Sequence, residues 1–220
     1  MVLPRLQAVV DLEAAARAGF PPAEVARSFL AGGARLIQIR AKTLPSGPLL
    51  ELCDAVVRLA QPHDAAVIVN DRVDLARLSG ATGVHVGQDD LPVSVARAML
   101  GSAAIVGYST HSVEQIDAAL RQPISYLAVG PVFGTTTKET GYSAVGLDLV
   151  RAAAARAGEV PVVAIGGITL ENAASAIDAG ASCVAVISDL ITAGDPATRV
   201  RHYLDRLGTA GGSEDPPLRL

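Results

Sequence analysis

Lys138 closes a nine-residue run, Gly130 to Lys138, that reads GPVFGTTTK. Three threonine hydroxyls, loop amides and one mobile cation are groups that hold phosphate oxygens through charge-assisted hydrogen bonds. The same residue types fill ordinary polar surface loops, and the run by itself fits either description. Other reactive side chains are spread along the chain. They are Arg40 and Lys42 in QIRAK at 38–42, Asn70-Asp71, His85 with Asp89 and Asp90 in HVGQDD, and Ser109 and His111 in YSTH. GGI at 166–168 and Ile187-Ser188-Asp189 complete the set.

Carboxylates beside several cations suit magnesium bound together with a polyphosphate. That ion takes few protein carboxylates and completes its shell with water and phosphate oxygens. Ion pairing at a loop rim would use the same residues for little energy, and Asp71 would also suit a helix start. In GGI and Ile187-Ser188, glycine lets an anion approach the backbone, and amides at a following helix start point at it. A tight turn accounts for either glycine equally well. His85 and His111 have no zinc-site spacing, and the reading preferred for both is a histidine hydrogen-bonded to backbone that orients its loop. Ser109 has no nucleophile-elbow context, so it suits a hydrogen bond to phosphate or substrate better than covalent catalysis.

Such clusters need a scaffold that brings them together, and the chain supplies a regular one. Eight short apolar runs read as strands: Leu6–Val10, Leu36–Arg40, Ala66–Asn70, Gly83–Val86, Ile105–Ser109, Tyr126–Val129, Pro161–Ile165 and Cys183–Ile187. Helical periodicity fills Pro22–Ala31, Pro48–Gln61, Asp71–Leu78, Pro92–Leu100, Val113–Arg121, Gly146–Ala157, Leu170–Ala179 and Pro196–Leu207. Proline opens several of these and glycine follows many, as helix ends require. Strict alternation leaves an eight-stranded barrel or an open doubly wound sheet. No GxGxxG follows the first strand, which disfavours a dinucleotide-binding sheet. The expected fold is α/β, a single-domain TIM (β/α)8 barrel over residues 1–208, with 209–220 a disordered tail rich in Gly, Pro and charge. Every unusual polar or glycine cluster follows a strand, so in a barrel all converge on the C-terminal face. This sorting favours a functional role for the threonine loop.

Composition narrows the partners. The net charge is −4 and no basic run exists, so nucleic acid is not an expected partner. No apolar stretch reaches the ~20 residues of a membrane span, and MVLPRLQAVV lacks the regions of a signal peptide. Cys53 and Cys183 have no CxxC spacing and read as buried reduced thiols of a cytoplasmic protein. A homo-oligomer is compatible with this composition.

With the clusters in order, QIRAK, VNDRVDLA, GVHVGQDDLP, GYSTHS, GPVFGTTTK, VAIGGI and AVIS, the chain resembles the thiamine-phosphate synthases over about Leu36 to Leu190. The resemblance implies a magnesium-dependent transferase. Such enzymes join hydroxymethylpyrimidine pyrophosphate to a thiazole phosphate carboxylate, giving thiamine phosphate, pyrophosphate and carbon dioxide by way of a pyrimidine carbocation. It implies that Gln38, Ile39, Arg40, Ala41 and Lys42 contact the pyrimidine pyrophosphate, with Asn70, Ser109 and Lys138. It implies Asp71 and Asp90 as magnesium ligands, and Thr135, Thr136, Thr137, Gly167, Ile187 and Ser188 as the thiazole phosphate site. Lys138, Arg40 and Ser109 are then the catalytic set. The threonine loop lacks the proline that many members have, and Ala41 replaces a commonly charged residue. A related thiazole tautomerase would carry a histidine where Pro131 stands. A regulatory barrel binding one phosphate would have no use for the two aspartates.

Overall fold

The computed structural model describes residues 1–134 and 143–208. Thr135, Thr136, Thr137 and Lys138, and the tail from Thr209, lie outside the described residues. Eight strands run in order: β1 (Leu6–Asp11), β2 (Leu36–Arg40), β3 (Ala66–Asn70), β4 (Gly83–Val86), β5 (Ile105–Thr110), β6 (Tyr126–Val129), β7 (Val162–Ile165) and β8 (Cys183–Val186). Each pairs in parallel with the next, and β8 closes on β1. The expected single-domain barrel is therefore the observed one.

The helices are α1 (Leu12–Arg17), α2 (Pro22–Ala31), α3 (Ser46–Ala60), α4 (Val73–Ser79), α5 (Val93–Leu100), α6 (Val113–Ala119), α7 (Gly146–Ala157), α8 (Ala173–Asp178), α9 (Ser188–Thr192) and α10 (Pro196–Leu207). Among the described residues no helix is long and apolar enough to cross a membrane.

Strands β1 to β4 are buried at every residue. One face meets the helices and the other fills the lumen, which explains unbroken apolar runs in place of alternation. The register identifies the lumen face. Gln7 on β1 donates from Nε2 to the Tyr126 hydroxyl on β6 at 3.3 Å, and these strands are not neighbours in the ring. The contact therefore crosses the interior. Tyr126 is level with Gly107, which is level with His85, which is level with Asn70. Partners in a parallel pair share a face, so all four point inward. Gly107 makes room for the phenol, since a Cβ there would lie 2.1 Å from Tyr126 Cζ.

Outside the barrel, helices bury one stripe each. On α2 it is Val25, Ala26, Phe29 and Leu30, and on α10 it is Val200, Tyr203 and Leu207. Pro22 and Pro196 sit in the first turns, and the Asp195 carboxylate caps α10 by accepting from Thr198 N at 2.8 Å. Cys53 and Cys183 are both buried, as expected.

Several boundaries differ from the sequence reading. Helix α3 begins at Ser46, ahead of Pro48, and α8 at Ala173 rather than Leu170. Helix α4 begins at Val73, and Asp71 stands outside it at φ +63°, so Asp71 does not start a helix. Helices α1 and α9 were not expected. Both are short, six and five residues, too brief for a periodic signal.

Candidate active site at the C-terminal mouth of the barrel

The polar strand ends gather on one face and divide it into two sectors. The first is built from β1 to β5. Asp11, the last residue of β1, sits level with Arg40, the last residue of β2. Its Oδ2 accepts from Arg40 Nη1, and its Oδ1 caps α1 by accepting from Ala14 N at 2.8 Å. Both side chains are buried, 1% and 8% exposed. Arg40 Nε is also buried, and among the described residues it has no hydrogen-bond partner. A buried donor left without an acceptor is costly, and at a barrel mouth an incoming anion is the natural acceptor. Arg40 thus stands at the mouth of the barrel, in a setting that the sequence did not reveal: Asp11 was missed. The signal available was an acidic residue at the end of an apolar strand.

Beside Arg40 lies a small cavity lined by Ala41, Lys42, Asn70 and Asp71, among others. Lys42 Nζ approaches Asp71 Oδ2 at 3.7 Å, over half-exposed on the lysine side. The Asp71 amide donates to His85 O at 2.8 Å, and Arg72 N to Asn70 O at 2.8 Å. This tight turn holds Asp71 in the left-handed region, where a non-glycine residue costs of order 1–3 kcal/mol. Strain of that kind marks a position specified by its surroundings. Gln38 and Ile39 are buried within β2.

Asp90 does not line this cavity. Its Oδ2 accepts from Gly87 N at 2.7 Å, tightening the loop after β4. Gln88 ties that loop to β5, donating to Ser109 O at 2.8 Å and accepting from the Tyr108 hydroxyl at 3.2 Å. Burial, and then the negative charges of Asp89 and Asp90, push the Tyr108 phenol above its ordinary pKa. Asp71 and Asp90 offer oxygen donors only. Among the described residues no group of three or more His, Cys, Asp or Glu is gathered for a metal. Carboxylate oxygens of this kind suit magnesium, which binds through one or two carboxylates plus substrate phosphates. They do not fit zinc.

Ser109 is held by a chain of side chains through the lumen. Its Oγ meets His85 Nε2 at 2.8 Å, and His85 Nδ1 meets the Tyr126 hydroxyl at 2.9 Å. Burial raises the Tyr126 pKa well above the usual phenol range, so the phenol keeps its proton. A neutral imidazole that accepts from Tyr126 at Nδ1 carries its hydrogen at Nε2 and donates to Ser109 Oγ. The serine hydroxyl is then left to donate outward. The expectation of a backbone-bonded, loop-orienting histidine is corrected for His85, which bonds two side chains. It holds for His111, whose Nδ1 pairs with Gly130 O.

The second sector, from β5 to β8, is an apolar cavity walled by Ala128, Ile165 and Ile187, with Ser109, Gly167 and Ser188 at its rim. Gly166 and Gly167 have φ of +98° and +63°. A Cβ at Gly166 would lie 2.6 Å from Pro131 Cα, and one at Gly167 2.5 Å from Gly134 O. Both glycines are therefore required by packing as well as by conformation. Asn172, also missed, brackets this turn: its Nδ2 donates to Gly167 O at 2.9 Å and its Oδ1 accepts from Thr169 N at 2.8 Å. A Cβ at Gly130 would lie 2.3 Å from Ile165 O, so Gly130 serves close packing of β6 on β7, while Gly134 stands in open space. Thr135, Thr136, Thr137 and Lys138 follow directly and lie outside the described residues.

Residues 6–190 match the family model described as thiamine monophosphate synthase. The chain is 42% identical over 184 residues to a thiamine-phosphate synthase of Acidothermus cellulolyticus, covering 83% of this chain and 86% of that one. It is 42% identical over 212 residues to that of Koribacter versatilis, covering 93% and 96%. Thiamine phosphate pyrophosphorylase from Pyrococcus furiosus superposes with a TM-score of 0.82 at 32% identity, covering 92% of this chain and 95% of that structure. This chain belongs to the thiamine monophosphate synthase family, and it is a transferase of thiamine biosynthesis.

Proposed function

We propose that the protein condenses hydroxymethylpyrimidine pyrophosphate with a thiazole phosphate carboxylate, releasing pyrophosphate and carbon dioxide and forming thiamine phosphate. The observation that carries this reading is the divided mouth. A charged sector with a buried guanidinium nitrogen that has no partner among the described residues lies beside an apolar cavity rimmed by two packing-constrained glycines. One sector suits a polyanionic leaving group, and the other suits an apolar ring carrying a phosphate.

In this reading Arg40 and Lys42, with Lys138 from the loop beyond Gly134, receive the developing charge on pyrophosphate as the methylene C–O bond breaks. Asp11 holds the Arg40 guanidinium in the lumen, so its Nε faces the departing oxygens without reorganising. Ser109, held by His85, donates its hydroxyl proton as a hydrogen bond to the same group. Gln38 and Asn70 orient the pyrimidine. Asp71 and Asp90 would hold magnesium, which when bound supplies further charge neutralisation for the leaving pyrophosphate. The backbone at Gly167 and Ser188, with Thr135, Thr136 and Thr137, holds the thiazole phosphate. Its ring nitrogen then lies in line with the methylene carbon, and its lone pair forms the new C–N bond. The carboxylate then leaves as carbon dioxide, its C–C electron pair returning to the ring system, which takes up one proton from water. No nucleophile–base pair is needed, which accords with a serine that has no nucleophile-elbow context.

The test is direct. The protein with Mg²⁺ and both substrates is expected to form thiamine phosphate and pyrophosphate in equal amounts, and chelation of the metal is expected to stop both. Binding of thiazole phosphate without product under these conditions would replace this reading with that of a carrier.

A further inference from the structure

Asp189 lies on the wall of the apolar cavity, next to Ser188, yet its carboxylate is engaged by protein donors. Oδ2 accepts from Leu170 N at 3.2 Å, from Arg199 Nε at 3.1 Å and Nη2 at 2.9 Å, and from the Tyr203 hydroxyl. Oδ1 accepts from Arg199 Nη2 at 3.0 Å. Asp189 and Arg199 are 17% and 15% exposed, and Tyr203 is fully buried. The guanidinium also lies 5.9 Å from the Tyr203 ring centroid. Burial, and then the bond to Asp189, push the Tyr203 phenol far above its usual range, so it stays a donor.

These contacts join three separate pieces of chain. Leu170 belongs to the turn after β7 that carries Gly167, Asp189 to the first turn of α9, which follows β8 and begins at Ser188, and Arg199 and Tyr203 to α10. A bare carboxylate beside a phosphate dianion would repel it, and the paired guanidinium removes that repulsion. We infer that Asp189, Arg199 and Tyr203 are positioning residues that lock the turns bearing Gly167 and Ser188 into one phosphate cradle, making the outer helix α10 part of substrate affinity. The inference rests on reading this cavity as the thiazole phosphate site.

The experiment uses the full chain carrying Tyr203→Phe, Asp189→Asn or Arg199→Lys. It measures KM for each substrate, and inhibition by inorganic phosphate in competition with thiazole phosphate. Tyr203→Phe keeps the ring and removes one charge-assisted hydrogen bond, so KM for thiazole phosphate and the phosphate inhibition constant are expected to rise about tenfold. Asp189→Asn is expected to exceed that, and Arg199→Lys to join it because lysine lacks the guanidinium fork. KM for the pyrimidine pyrophosphate is expected to stay within about twofold, as for a distant independent site. An equal rise in both KM values, or a lowered Tm with the thiazole phosphate KM unchanged, would overturn the inference. Should Asp189→Asn fail to fold, Tyr203→Phe decides alone. A wild-type protein that never saturates with thiazole phosphate would instead overturn the functional reading beneath it.

Discussion

Arg40 is the residue whose setting constrains the chemistry most. It is buried, it is paired to an equally buried Asp11, and its Nε has no partner among the described residues. Removing one member of a buried pair leaves an uncompensated charge, at a cost of about 3–5 kcal/mol. Asp11→Asn isolates that effect, since asparagine is as good a helix cap as aspartate. The variant is expected to lower the urea midpoint accordingly and to lose most turnover, whereas Asp11→Ala is expected to lose the α1 cap as well. Asp90→Ala and Lys138→Ala, both serving the leaving pyrophosphate in the proposed reaction, are expected to cut turnover by orders of magnitude. Circular dichroism is expected to stay that of the folded barrel. The candidate residues were legible at this scale because their types are unusual after a strand: Arg40, Asp71, Ser109 and Gly167 all stood out. Their supports were not legible. Asp11, Asn172 and Tyr126 act through contacts to residues far away in sequence or through a tight local turn, and nothing in their own neighbourhood announces a partner.

Among the elements, β5 and β6 show how the lumen couples packing to the site. Gly107 yields space to the Tyr126 phenol, the phenol bonds His85, and His85 holds Ser109. Gly107→Ala would place a methyl 2.1 Å from the ring carbon. Overpacking of this kind costs about 1–3 kcal/mol, and the displaced phenol is expected to loosen Ser109. A drop in Tm together with a fall in kcat larger than that of Tyr126→Phe would show the coupling, and an unchanged Tm would show that the ring moves freely aside. The strands were readable because burial on both faces leaves continuous apolar runs bounded by Gly, Pro and polar residues, and all eight begin and end within one residue of the expected position. Helix ends were less readable. Pro48 looked like a first-turn residue, but α3 starts two residues earlier at Ser46, following Pro45. Helix α9 is set by its docking against α10 through Asp189 and leaves no periodic trace in five residues.

For the molecule as a whole, burial of proton-bearing groups fixes how stability responds to pH. Burial, and then the charge of Asp54, push the Cys53 thiol up from 9.0 to about 12. The phenols of Tyr126 and Tyr203 are raised in the same direction. Groups whose folded pKa exceeds the unfolded one stabilise the fold fully below the unfolded value, and that stability is lost as pH climbs through the folded value. The urea midpoint is therefore expected to decline from about pH 9 upward, with Cys53 unreactive toward alkylating reagents at pH 8 until the chain unfolds. Asp74 behaves oppositely. The Arg72 side chain holds its carboxyl below the ordinary 3.8, so its contribution is present above that value and fades as pH falls through the lowered one. The barrel itself was legible from eight alternations, and so was the convergence of polar clusters on one face. The division of that face into a charged half on β1 to β5 and an apolar half on β5 to β8 was not, because it depends on which side of each strand faces the lumen. That division is the centre of the functional account. A crystal structure with thiamine phosphate and pyrophosphate bound tests it most directly. Pyrophosphate is expected within hydrogen-bonding distance of Arg40 Nε and beside Lys42, and the thiamine phosphate group at Gly167 and Ser188. Both anions in one sector, or the two exchanged, would contradict the account.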